Sequence, residues 1–272
     1  MNTLIALVAA CGICTYCSAL IAAEENMAID VIRTRMKSAL NHPCLVVTGT
    51  VVTLMDGNPL STTSFTGRFK KPSRWMITWQ DTGTRTFKPS GTVWGDGTTS
   101  HLLSTGSKEV ETTTDIPMTI AAATGISHKI APWLYGLFHG QLRDIVPDHG
   151  AVSQVDGSFI VSAEPRAGHT LRVTISHDLI AAAETISDTS KAERVDEPEF
   201  DDQQATKLIE RQGEKATPEK ITKIREMIAH AHAAMAKSTS VFSSSYVFQW
   251  QLDRELNDAE LLPSSMSDQP AK

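Results

Sequence analysis

The sequence predicts a mainly β protein of the α+β type. About ten strands form an antiparallel meander, broken near the middle by two apolar helices and followed by a late helical insertion. Three observations carry this. Short segments alternate apolar and polar residues: Trp75, Ile77 and Trp79 against Arg74, Met76 and Thr78, and Leu171, Val173 and Ile175 against Thr170, Arg172, Thr174 and Ser176. Turn residues punctuate them at short intervals, as in Asp56-Gly57-Asn58-Pro59, Asp81-Thr82-Gly83 and Asp156-Gly157. Between residues 115 and 138 the rhythm gives way to two apolar segments, neither with a charged face, so each must be buried by protein or by a ligand.

Residues 24–40 have the spacing of an amphipathic helix, with Ala28, Ile32, Met36 and Ala39 on one face and Arg33, Arg35 and Lys37 on the others; Pro43 stops it. Strands follow over Leu45–Met55, around Phe65, Gly67 and Phe69, over residues 74–79, and over Thr92–Gly95, Thr99–Leu103 and Glu109–Thr113. Asp115 caps a short helix through Ala121-Ala122-Ala123, which Gly125 ends, and Ile130–Phe138 forms a second. The meander resumes at Val152–Val155, Phe159–Ala163, His169–His177 and Leu179–Ser187. One sheet face is expected to be apolar and the other polar.

Residues 188–237 differ in character. From Asp188 to Asp202 there are seven acidic residues and two basic ones, the composition of a solvated linker. A helix near Gln203–Arg211 follows. Thr217-Pro218-Glu219 opens another, whose Ile221, Ile224, Ile228, Ala231 and Met235 make one stripe. A closing strand, Ser240–Leu252, puts Phe242, Tyr246, Phe248, Trp250 and Leu252 on one side. The domain organisation expected is a leader over 1–23, a β body over 24–187 and 238–262, the insertion over 188–237, and a disordered tail over 263–272.

The chain has 272 residues, 25 basic against 31 acidic, and a net charge of −6. No Lys/Arg cluster is present, which argues against nucleic acid as a partner. Leu4–Ala23 is uncharged and ends at Glu24-Glu25, the pattern of a secretory signal cleaved after Ala23. Export to a periplasm or beyond is therefore expected. Val8-Ala9-Ala10-Cys11 also has the form of a lipobox, so the alternative is a lipid anchor to an envelope membrane through Cys11. Cleavage after Ala23 would remove Cys11, Cys14 and Cys17 and leave Cys44 alone, without an internal disulfide.

Chemistry is sparse. No nucleophile elbow, P-loop, dinucleotide fingerprint, zincin helix or EF-hand loop occurs. His230 and His232 are two apart, and on a helix such residues point in opposing directions. His42-Pro43-Cys44 offers a thiol and a base, but no third orienting group is evident in the sequence. Asp96-Gly97 and Asp56-Gly57 fit turns, and Asp201-Asp202 a solvated linker. No catalytic residue, metal or cofactor is expected, and the chain is not read as an enzyme.

A leading helix, a long meander, an apolar helical break and a closing aromatic strand together resemble the outer-membrane lipoprotein-sorting proteins, the LolA/LolB-like periplasmic carriers. Local segments resemble that family too: Gly67-Arg68-Phe69-Lys70-Lys71-Pro72-Ser73-Arg74-Trp75, Val93-Trp94-Gly95-Asp96-Gly97, Leu171–Leu179, and Phe248 to Pro263. The insertion at 188–237 is where the sequence departs from it. The resemblance implies an unclosed antiparallel β-barrel of about eleven strands round a helical plug, with a hydrophobic cavity for acyl chains and no cofactor. The candidate cavity residues are Phe65, Phe69, Trp75, Ile77 and Trp79 from strands, and Ile120, Trp133, Leu134, Leu137 and Phe138 from the helical break. Expected partners are lipoprotein acyl chains or another hydrophobic ligand, with an envelope protein and peripheral membrane contact also compatible. The competing reading is an interaction module whose cavity is filled by its own side chains and which docks a partner through the 217–236 helix.

Overall fold

Eleven strands hydrogen-bond into one antiparallel sheet in the order β6-β5-β4-β3-β2-β1-β11-β10-β9-β8-β7. They are β1 (Cys44–Met55), β2 (Asn58–Lys70), β3 (Arg74–Asp81), β4 (Ser90–Gly95), β5 (Ser100–Ser104), β6 (Glu111–Thr113), β7 (Ala151–Val155), β8 (Ser158–Arg166), β9 (His169–Ser176), β10 (Leu179–Asp188) and β11 (Val241–Leu252). The helices are α1 (28–39), α2 (Ile116–Thr124), α3 (Ile130–Phe138), α4 (Asp202–Arg211) and α5 (Pro218–Lys237). The computed structural model describes residues 28–83, 88–105, 107, 109–191, 201–211, 215–237 and 239–263. The expected leader over 1–23, Cys11 and its lipobox, most of the acidic linker, the tail beyond Pro263 and the side chains of His230 and His232 lie outside the described residues.

The sheet is not closed, because β6 and β7 are its two edges. Two meanders, β1–β6 and β7–β10, are joined by β11. That strand pairs with β1 along its length, from Leu45↔Leu252 to Met55↔Phe242, and with β10 on its other side. Two of the hairpins turn as their residues require: Asp56-Gly57 and Asp156-Gly157 have positive φ at both positions, which matches the right-handed twist of the flanking strands.

Helices α2 and α3 follow from local sequence. The Asp115 carboxylate accepts the Met118 N–H at 3.0 Å and caps α2, with a proline in its first turn. Gly125 ends the helix but keeps a right-handed φ of −68°. The reversal into α3 falls instead on His128 and Lys129, at φ +50° and +66°. Helix α3 is uncharged, and Ile130, Ala131, Trp133, Leu134, Gly136 and Leu137 are buried.

Two expectations need correction. Arg33 does not lie on a solvated face: it is buried, and the residues that join the core from α1 and the turn after it are Ile29, Ile32, Met36 and Leu40. The guanidinium reaches across to the loop after α3, where Nε donates to the Val146 carbonyl at 2.9 Å and Nη1 meets Asp148 at 2.5 Å. Long-range hydrogen bonding, invisible to periodicity, replaces water for this charge. Nor is the outer sheet face wholly polar. Met76 and Trp94 are buried there, and residues 253–263 lie against it with a 3-10 helix at Asp258–Leu261. Leu256 and Leu261 form a second small cluster with Val46 and Cys44, and Asp258 pairs with Lys70 and Arg74 at 2.9 and 2.5 Å.

Candidate functional site

The inward face of the sheet is built by alternation. On β2, Phe65 and Phe69 point inward, and on β3 so do Trp75, Ile77 and Trp79; β11 adds Tyr246 and Phe248 from the opposite side of β1. Helix α2 lies against β4 and β5, and α3 against β2.

All ten candidate residues come together in one hydrophobic cluster. Phe65, Phe69, Trp75, Ile77, Trp79, Ile120, Trp133, Leu134 and Leu137 are buried, while Phe138 is half-buried and packs against them. The contacts are specific. Phe69 stacks on Phe138 at 4.9 Å between ring centroids, Trp75 meets Tyr135 edge-on at 5.1 Å, and Trp133 tilts against Tyr246 at 4.7 Å. Phe65 and Phe248 pair at 5.4 Å. In this conformation the candidate residues pack on one another.

Several residues of the cluster escape a reading confined to β2, β3 and the helical break. Tyr135 is one, since its neighbours Leu134 and Leu137 draw the attention on α3. Tyr246 and Phe248 are others; their alternation in β11 is plain in the sequence, but their position opposite Phe65 and Trp133 follows from β11 pairing with β1. Helix α1 contributes Ile29, Ile32 and Met36.

One end of the inward wall is polar. Thr53, Ser61, Thr63 and Asp81 are all buried there. The Tyr246 hydroxyl donates to the His128 carbonyl at 3.1 Å, and His128 Nε2 lies 3.4 Å from Ser61 Oγ, so the α2–α3 turn sits over this end. Burial pushes the Tyr246 phenol upward. Burial also holds Lys129 below its ordinary value, with the Arg166 charge adding to it, and lowers His169, again helped by Arg166 and Lys129. Open grooves occur on the outer face. One of about 700 Å³ is lined by Ser64, Thr66, Thr78, Gln80 and Thr92, and one of about 680 Å³ by Arg68, Met76, Asn257 and Glu260.

The His42 ring, which lacks an orienting group in the sequence reading, has one in the structure: Asp253 Oδ1 lies 2.6 Å from Nδ1. Cys44 packs into the outer cluster with Val46, Leu256 and Leu261. Among the described residues no three His, Cys, Asp or Glu side chains gather as a metal site. No described helix is long and apolar enough to cross a membrane.

No protein-family profile and no curated protein matches the chain. Among solved structures, it is similar to a DUF1329 family protein from Desulfovibrio piger ATCC 29098, at 12% identity and a TM-score of 0.37, over 89% of this chain and 99% of that one. It is also similar to a LolA superfamily protein from Nitrosomonas europaea, at 10% identity and a TM-score of 0.33, over 87% of this chain and 98% of the other. At this level of superposition neither assigns a ligand, and the functional reading rests on this chain's own residues.

Proposed function

We propose that the protein is an exported, non-enzymatic carrier or sensor that binds a hydrophobic ligand without covalent chemistry, between the curled sheet and helices α2 and α3. Acyl chains of a lipidated protein are the ligand class that the sequence resemblance implies. The supporting observation is α3 itself: a helix with no charged side chain, held against the inward face of a sheet that does not close. An alkyl chain that displaces such a plug exchanges one apolar neighbour for another and leaves no charge unmet. Each buried CH₂ contributes about 0.8 kcal/mol, so a long chain can offset an association cost of about 4–15 kcal/mol.

A second reading has its own support. The ten candidate residues fill the interior by packing on each other, and α5 exposes Met227 at 61%. An interaction module with a self-filled core would dock a partner through that helix. Native mass spectrometry with solvent extraction, on protein purified without detergent, separates the two. A co-purifying lipid or acylated peptide is expected. A bare mass, with no uptake of offered lipid, would overturn the carrier reading and direct attention to α5.

A further inference from the structure

Thr63 and Asp81 are direct partners across the β2–β3 ladder, and Phe65 and Trp79 form the next inward-facing pair. Opposed residues in such a ladder have Cβ atoms about 4.5–5.5 Å apart. Thr63 and Asp81 are each 1% exposed, and Trp79 is 2% exposed. Asp81 Oδ1 accepts the Gly83 N–H at 2.7 Å. Its other oxygen, Thr63 Oγ1 and Trp79 Nε1 are all buried and have no hydrogen-bond partner among the described residues. Buried polar atoms are nearly always satisfied, and each exception calls for an explanation. Here one acceptor and one hydroxyl that both donates and accepts are left unmet on two directly opposed residues, and the unmet Trp79 indole N–H belongs to the next inward-facing residue of β3.

The corner formed by Thr63 and Asp81 is also placed where a ligand could be admitted. Ser61 is two residues before Thr63, on the same face of β2, and its hydroxyl lies against His128 of the α2–α3 turn. That turn holds two consecutive non-glycine residues, His128 and Lys129, in the left-handed region, a conformation that persists only where surrounding contacts impose it. Movement of the turn would uncover polar groups at one end and the aromatic wall beyond them.

We propose that this corner is the headgroup site for a neutral, hydroxyl-bearing amphiphile, such as one with a glycerol headgroup. A ligand O–H donates to Asp81 Oδ2, the oxygen of a ligand hydroxyl accepts from the Thr63 hydroxyl, and the alkyl chain runs over Phe65 and Trp79. A carboxylate or phosphate head would bring a second acidic group to the Asp81 carboxyl, and an ammonium head has no acceptor for the Thr63 hydroxyl. The assignment rests on the carrier reading and names its ligand class.

The test titrates the full chain with 1-monooleoylglycerol and with methyl oleate, which share the oleoyl chain but differ in hydroxyl donors. Wild type is expected to bind the first about tenfold more tightly, the size of one or two satisfied hydrogen bonds. Asp81→Asn keeps an oxygen for Gly83 and turns an amide donor toward the ligand; Thr63→Val removes the hydroxyl at constant shape. In either variant the ratio between the probes should fall to within about twofold. Thr63→Val decides the matter alone if Asp81→Asn does not fold. Equal affinity of wild type for both probes, or a ratio unchanged by the substitutions, overturns the headgroup site and leaves the carrier reading standing. Failure to bind either probe overturns both.

Discussion

Trp79 lies across Gly91, its direct partner on the neighbouring strand, so closely that a Cβ added at Gly91 would stand 2.3 Å from the indole. Trp75 has the same relation to Gly95, at 2.9 Å. A bare backbone at each glycine lets the neighbouring indole approach this closely. Glycine serves in both places for close approach.

Gly91→Ala should therefore force Trp79 out of its position. Overpacking of this kind costs about 1–3 kcal/mol. The expected outcome is a lower melting temperature with altered near-ultraviolet circular dichroism, since an indole moves. An unchanged tryptophan spectrum would show that the wall has room to spare.

Arg33 is the clasp between α1 and the loop after α3. Arg33→Ala leaves the Val146 carbonyl without its charged donor and should destabilise the fold by about 2–3 kcal/mol, read by denaturant unfolding. Arg33→Lys should recover only part of this, because an ammonium cannot reproduce the guanidinium fork. Full recovery by lysine would mean that charge matters here and geometry does not.

Leu134 is fully buried on α3, and its Cδ1 lies against Gly67. Leu134→Ala should cost about 2–5 kcal/mol through the cavity it leaves. Where the plug is displaced by a ligand, weaker plug packing also raises the apparent affinity for an alkyl chain. Where the core is self-filled, only stability falls. Parallel measurement of melting temperature and monooleoylglycerol binding distinguishes the two.

Hydrogen bonds from Lys70 and Arg74 hold the Asp258 carboxyl below the ordinary aspartate value of 3.8. A carboxylate with a depressed folded value stabilises above the unfolded value, and that contribution is lost as pH falls below about 3.8 and through the folded value. Residues 253–263 should therefore loosen from the outer face in acid. Hydrogen exchange of this segment should be faster in Asp258→Asn than in wild type at neutral pH, and alike in the two below the folded value. A difference that persisted at low pH would assign the attachment to Leu256 and Leu261 instead.

Much of the architecture is readable from short-range pattern. Strand alternation, the aspartate–glycine turns and the Asp115 cap are decided within a few residues, and Ile130–Phe138 appears as a helix with the bounds anticipated for it. The candidate wall is readable for the same reason, because residues two apart in a strand share a face. What lies opposite that wall is not local. The pairing of β11 between β1 and β10 brings Tyr246 to Trp133 and Phe248 to Phe65, residues far apart in the chain.

The polar corner was hidden for a related reason. Thr63 reads as one threonine among several in a strand, and Asp81 as the first residue of an Asp-Thr-Gly turn. Only the ladder register makes them opposed, and only the folded chain buries them. The sequence by itself determined the elements, their turns and the apolar character of the wall, because these follow from backbone sterics and side-chain periodicity. Tertiary structure decided the burial of Arg33, the cover on the outer face and the unmet hydrogen bonds of Thr63 and Asp81, because each depends on groups that only folding brings within a few ångströms.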